Sequence, residues 1–292
     1  YITQMIKFSI FSKASSYEKE KKYESAAASF AKYQKEFKND KLADTALYNA
    51  AQNYFKIGKV SNAVSHLELL RESYPDSKLQ VDALAQLAET HEAMANFPEA
   101  AQSYKMFGYR FTNDKRAPFA LYNAATLYHG LKDYEQTEKV IANFKKIFPN
   151  HELAAKSEYL LSDVYIQQRN FKEAAKSFTK LSKTEAPNSD ASIAAKVNRA
   201  EALWLSGDKA QAINEFQKFA DYFASESSLA AIESRRKVAK YLFESMKMEV
   251  TRFERTRFEN GATVERDILS KQKMLEKLAS NFERIINVGS LE

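Results

Sequence analysis

The chain contains no cysteine, which excludes a disulfide framework, a thiolate nucleophile and a cysteine-based zinc site. Only six glycines and five prolines serve 292 residues, far below the average usage of about 7% and about 5%. Folds that need many tight turns, such as sandwiches, barrels and βαβ arrays, are therefore poorly supplied. A glycine-rich phosphate loop, a Rossmann fingerprint and a G-x-S-x-G elbow are all missing. No apolar run approaches the ~18 residues of a membrane-spanning helix. Blocks of one charge are missing too: Lys and Arg interleave with Asp and Glu, leaving a net charge of +6. That is the pattern of solvated helix faces and argues against a nucleic-acid patch. What is abundant is Ala, Lys, Glu, Leu and Ser, with 45% hydrophobic and 28% charged residues. This is the composition of an ordered, helix-rich chain.

The sequence opens at Tyr1 without an initiator Met, and its first residues carry neither the n-region nor the cleavage site of a signal peptide. The native N-terminus is expected upstream. The ending "NFERIINVGSLE" reads as the second helix of another hairpin followed by a joint, so the protein is expected to continue beyond residue 292.

A period organises the chain. Small residues recur at Ala26, Ala63, Ala100, Thr137, Ala174 and Ala212, in steps of 37, 37, 37, 37 and 38 residues. Four residues after each stands a large one (Phe30, Leu67, Tyr104, Ile141, Phe178, Phe216), and three further on another (Tyr33, Leu70, Phe107, Phe144, Leu181, Phe219). The i, i+4, i+7 spacing is one face of a helix. A second helical pattern precedes each small residue, as in Leu47, Ala50, Ala51 and Tyr54, or Leu121, Ala124, Ala125 and Tyr128. Alanine at the middle positions lets two helices approach closely while the aromatic fills the space beside them. Each unit is thus a helical hairpin. Gly58 and Gly207 end first helices, Pro75, Pro149 and Pro187 follow second helices, and other units turn at Asn96-Phe97, Asp133-Tyr134 and Asn170-Phe171.

The stretch "LYNAAQNYFKIGKVSNAVSHLELLRESYP", Leu47 to Pro75, resembles the tetratricopeptide repeat at its small and large positions and its closing proline. The resemblance covers six units over residues 8 to 224 and implies an all-α fold, a right-handed α-α superhelix. Domains are expected at 1–224 for this solenoid and at 225–292 for a long helical hairpin that continues or caps it. The 37-residue period exceeds the family's usual ~34, and the extra residues sit in joints such as "YPDSKLQVDAL", Tyr74 to Leu84. These joints are similar to those of a bacterial cell-envelope subgroup that includes BamD and CpoB (YbgF). That resemblance implies export, with a periplasmic or outer-membrane-anchored location. A weaker likeness is to the large repeat proteins of gliding-motility machines.

From about Ser227 the register fails. One stripe then runs through Leu229, Ile232, Val238, Leu242, Phe243, Met246, Val250 and Phe253, and Gly261 interrupts. A second stripe, with Thr263 as N-cap, carries Ile268, Leu269, Leu275, Leu278, Phe282, Ile285 and Ile286. Two antiparallel helices are expected to bury both stripes.

Chemistry-bearing residues are sparse. His66, His91, His129 and His151 fall in four different units without a ligand motif, so no metal site is expected, and His91 reads as a packed substitute for Tyr54, Tyr128 and Tyr165. Glu89 and Glu92 share a helix face and read as solvated surface. "TRFERTRF", Thr251 to Phe258, mixes Arg252, Arg255 and Arg257 with Phe253 and Phe258 in a way that suits phosphate and base contact. Its glutamates favour a helix that packs its aromatics inward.

No catalytic residue and no cofactor are expected. The family resemblance instead implies a concave groove lined by each unit's first helix, here Tyr48, Asn49, Gln52 and Phe55; Gln86, Glu89 and Glu92; Tyr122, Asn123, Thr126 and His129; Tyr159, Asp163 and Ile166; and Asn198, Glu201 and Trp204. Asn49, Asn123 and Asn198 stand where family members hold a peptide backbone with an amide, which can both donate and accept. Tyr48, Phe55, Tyr122, Tyr159 and Trp204 offer rigid apolar contact, or else pack between units. The expectation is a non-catalytic envelope scaffold with a protein or peptide partner and no small-molecule substrate. Membrane association would come only through an upstream anchor or a partner. The alternative is a cytosolic adaptor or nucleic-acid-associated repeat protein that uses the positive surplus.

Overall fold

In the computed structural model, which describes residues 2–225, 232–257 and 264–289, the described residues form fourteen helices and no strand. They are α1 (Ile2–Lys19), α2 (Tyr23–Glu36), α3 (Ala43–Lys56), α4 (Val60–Ser73), α5 (Gln80–Ala93), α6 (Phe97–Arg110) and α7 (Ala117–Gly130). Then follow α8 (Tyr134–Ile147), α9 (Leu153–Gln167), α10 (Phe171–Thr184), α11 (Asp190–Ser206), α12 (Lys209–Ser225), α13 (Ile232–Arg255) and α14 (Val264–Gly289). The all-α repeat fold expected from the period is the fold observed. The chain divides into two compact units, Tyr1–Ala154 and Ala155–Glu292. The first holds the hairpins α1/α2, α3/α4, α5/α6 and α7/α8; the second holds α9/α10, α11/α12 and α13/α14.

The turn inside each hairpin has one design. A residue with positive φ recurs at Lys21, Gly58, Ala95, Lys132, Arg169 and Gly207, with φ between 58° and 95°. The next residue's N–H reaches back five positions, as from Lys59 to the Tyr54 carbonyl (3.0 Å), Asn96 to His91 (2.8 Å) and Asp133 to Tyr128 (2.9 Å). This left-handed closure satisfies carbonyls that a helix end would otherwise leave orphaned. Only two of the six positions are glycine; at Ala95, Lys132 and Arg169 the turn falls where the sequence places it, just before Asn96-Phe97, Asp133-Tyr134 and Asn170-Phe171, but without a glycine.

The joint between hairpins is equally regular. Phe37, Tyr74, Phe111 and Phe148 cap α2, α4, α6 and α8 from non-helical backbone, each donating its N–H to the residue four back. Three residues later Asp40, Ser77, Asp114 and His151 each accept, through the side chain, the N–H two positions on: Leu42 (3.0 Å), Leu79 (3.1 Å), Arg116 (2.8 Å) and Leu153 (3.2 Å). A side-chain acceptor there mimics a backbone turn and starts the next helix. Ser77 of the Tyr74 to Leu84 joint therefore has a local structural job.

Packing follows the small-residue rule. Ala26, Ala63, Ala100, Thr137, Ala174 and Ala212 are all 0% exposed, and the Thr137 hydroxyl donates to the Asp133 carbonyl (2.9 Å). Phe30, Leu67, Ile141 and Phe216 are buried beside them. The second unit departs from the apolar rule at Glu158, which stands where Leu47, Leu84 and Leu121 stand in earlier hairpins. Its buried carboxylate accepts from Ser177 Oγ at 2.5 Å.

α13 and α14 run antiparallel, as Phe243 meets Phe282 (6.2 Å between ring centroids), Glu249 meets Lys277 (3.5 Å) and Thr256 meets Lys271 (3.1 Å). Val238, Leu242, Met246 and Leu278 are buried. The second stripe is not buried as expected: Ile268, Leu269, Leu275 and Ile286 are 42–63% exposed. Among the described residues α14 packs chiefly against α13 and less against α12, and that contact buries Leu278 and Val288 without extending over these four. Leu229, Phe258, Gly261 and Thr263 lie outside the described residues.

Candidate functional site

In the first unit the expected site residues lie on α3, α5 and α7. Tyr48 and Phe55 lean against the cluster of Leu47, Ala51, Leu67, Leu70, Ala83 and Leu87, so their ring bodies belong partly to the core. Burial raises the Tyr48 hydroxyl's pKa, with the Asp82 charge adding to it. Gln52 donates to Gln86 Oε1 across from α3 to α5 (2.6 Å). Asn123 bonds to the Tyr104 hydroxyl, which donates to Glu92 (2.6 Å) and has its pKa raised first by burial and then by that carboxylate. Glu92 is thereby tied into a chain linking α5, α6 and α7. Thr126 is exposed and donates to its own helix at the Tyr122 carbonyl (3.0 Å).

The Tyr48 hydroxyl, the Asn49 amide and the Tyr122 hydroxyl have no intramolecular hydrogen bond among the described residues. All three residues are half-buried. Each is an apolar or short stem held by the scaffold with its polar end unengaged.

The second unit treats the equivalent positions differently. Tyr159 donates to the Ala191 carbonyl on α11 (2.8 Å) while its ring packs near Ala195 and Ala202. Asn198 Oδ1 and Glu201 both accept from Lys237 of α13, at 2.7 and 2.6 Å, and Glu201 also accepts from the Tyr241 hydroxyl (2.8 Å). Trp204 lies 5.5 Å from the Tyr241 ring, with the Lys209 ammonium 5.1 Å from its own ring centre. The polar ends of Asn198 and Glu201 are thus taken up inside the unit by α13. Lys237 and Tyr241 went unnoticed in the sequence because the 37-residue register fails before they are reached.

His91 is 5% exposed beside Glu68 (3.9 Å) and packs where other units place a tyrosine. His66 stacks near Tyr54 and His151 near Phe119, Phe144 and Phe148. No three His, Cys, Asp or Glu side chains converge as metal ligands among the described residues, and no described helix is long and apolar enough to cross a membrane. In the arginine-rich run, Phe253 is half-buried beneath the Lys271 ammonium (4.9 Å) while Arg252 and Arg255 are exposed.

Residues 45–77 match the model of the tetratricopeptide repeat, within the α3/α4 hairpin and its joint. No curated protein sequence matches the chain. The structure of Naa15/Naa10 bound to HypK-THB is similar at a TM-score of 0.55 and 15% identity, covering 98% of this chain and 40% of that one. The apo form of RapI is similar at 0.50 and 11%, covering 96% and 86%. A tetratricopeptide repeat protein from Parabacteroides merdae reaches 0.38 and 15%, covering 96% and 98%. The first two support the fold; at 0.38 the third adds nothing to that.

Proposed function

We propose that this protein is a non-catalytic protein–protein interaction scaffold that binds a peptide segment or partner subunit on the first-helix face of α3, α5 and α7. The supporting observation is the set of unengaged polar ends at Tyr48, Asn49 and Tyr122, each held on a rigid helix. An extended peptide brings its own unpaired N–H and C=O groups, which an amide and two hydroxyls suit, and the tyrosine rings supply apolar contact at low entropic cost. Asn123, with one bond to Tyr104, retains further donor and acceptor capacity. In the second unit, Asn198, Glu201 and Trp204 serve the docking of α13, so the reading rests on the first unit.

The setting within this reading is the bacterial envelope, periplasmic or anchored at the outer membrane, in an assembly, Tol-Pal-like or motility role. It rests on the joints alone, of which Tyr74 to Leu84 is the clearest. Fractionation of the full-length protein tests it: recovery with the cytosolic fraction would remove the envelope setting and leave the scaffold reading standing.

Capture of a partner from cross-linked cells tests the face itself. N49A/Y122A should reduce capture at least tenfold with unchanged helicity, because both side chains are half-exposed and neither holds another side chain. Undiminished capture by this variant would refute the proposed face.

A further inference from the structure

Elsewhere in the first unit, a cleft of about 820 Å³ opens between the second helices α2 and α4. Gln34, Lys35, Lys38, His66, Ser73 and Tyr74 are among the residues that line it. The repeat explains why this cleft is open. Ser73 occupies the position that Arg110 holds one period later, and there the guanidinium reaches back to the Pro75 carbonyl and crosses the corresponding space. In the α2/α4 cleft the equivalent carbonyl, that of Lys38, is served instead by the Tyr74 hydroxyl (2.8 Å), which also accepts from Gln34 (3.0 Å). A serine at 73 then leaves the volume unfilled.

The charge of the lining is one-sided. Lys35 and Lys38 have no acidic partner among the described residues. Asp40, the acidic residue of the lining, is already engaged by Lys7 (2.8 Å), Tyr33 (2.7 Å) and the Leu42 N–H (3.0 Å), and its side chain is only 11% exposed. The C-terminal ends of α2 and α4 border the cleft and would by themselves disfavour an anion. Some of those carbonyls are already engaged, Tyr33 by the Phe37 N–H and Leu70 and Arg71 by the Gln80 amide, and the full charges of Lys35 and Lys38 outweigh the partial negative charge of the helix ends. What is left for a ligand is two free ammonium groups beside a roomy recess.

We propose that the α2/α4 cleft binds an acidic peptide segment, whose carboxylates the Lys35 and Lys38 ammonium groups receive at the rim while its chain lies along the recess over Ser73. This site is separate from the α3/α5/α7 face, and either can fail without the other. The test uses a fluorescein-labelled hexaglutamate peptide on the whole chain at low salt, read by anisotropy. Binding should weaken at least tenfold in K35A/K38A, which removes the charge, and in S73W, which fills the recess without changing charge. K35E/K38E should instead favour a hexalysine peptide. N49A/Y122A should leave hexaglutamate binding unchanged. Circular dichroism of each variant reads folding directly, and Ser73, Lys35 and Lys38 are exposed, so loss of helicity is not expected. Wild-type affinity in S73W would mean diffuse surface attraction and would overturn the site, as would absence of hexaglutamate binding to the wild type.

Discussion

At the scale of single residues, the turn inside each hairpin is where sequence and backbone disagree most. Glycine is the residue for φ > 0, since an L side chain there costs roughly 1–2 kcal/mol. Yet Lys21, Ala95, Lys132 and Arg169 adopt φ near 60°, held by the same five-back hydrogen bond that closes the glycine turns. The strain is tolerated because the packed helices on both sides determine the turn. A Cβ built on Gly58 would meet no atom within 4 Å, so the backbone term acts there alone. Ala95→Gly should therefore raise stability and Gly58→Ala lower it, each by about 1 kcal/mol after allowing for the unfolded chain's entropy. Urea midpoints moving in the same direction would contradict this account. Trp204 makes the complementary point: its aromatic body suits an interface, but its neighbours Tyr241 and Lys209 make it part of the unit's own packing.

At the scale of elements, the distance between helices sets the demands on individual side chains. α6 and α7 approach so closely that a Cβ on Gly108 would lie 2.4 Å from Leu121 Cγ and 2.5 Å from its Cδ2. Leu121 is fully buried and has no room to move aside. Gly108→Ala would gain about 1 kcal/mol of helix propensity, against an overpacking cost of typically 1–3 kcal/mol. The net expectation is destabilisation, seen as a lower thermal midpoint, whereas a propensity-only view expects a rise. Nothing in the helical pattern marks Gly108, because its neighbour belongs to another helix. The same limitation applies to α14. Its stripe is as regular as that of α13, but a stripe says which residues share a face and not whether an element arrives to cover it.

At the scale of the whole molecule, stability in an array of hairpins is a sum of local interfaces, and the joints that link them carry titratable groups. The Asp40 carboxyl is lowered to about 2 from its ordinary 3.8, first by the Lys7 ammonium and then by the Tyr33 hydroxyl. Asp114 is likewise lowered to about 2, chiefly by the Arg116 guanidinium. A carboxyl with a depressed folded-state pKa contributes its stability fully above the unfolded value. It loses that contribution as pH falls through the folded one. The urea midpoint should accordingly be insensitive to these groups at about pH 6 and fall between about pH 4 and pH 2. In D40N/D114N that fall should be shallower and the midpoint at neutral pH lower. An unchanged acid limb in the double variant would assign the loss to other groups.

Helix content, hairpin unit and period were determined by the sequence alone, because each depends on neighbours within a few turns: the Ala63, Leu67, Leu70 spacing is a property of one helix whatever surrounds it. The joint residues Asp40, Ser77 and Asp114 act just as locally, but their shared role became visible only with their hydrogen bonds. Contacts between residues some 20 to 40 positions apart were decided by tertiary structure, as with Lys237 on Asn198, Tyr104 on Asn123, and Ser73 beside Lys35 and Lys38. Which polar ends are consumed internally and which stay open to a partner depends on these contacts. They follow from how helices stack, and one helix's periodicity does not encode the side chain that its neighbour will place against it.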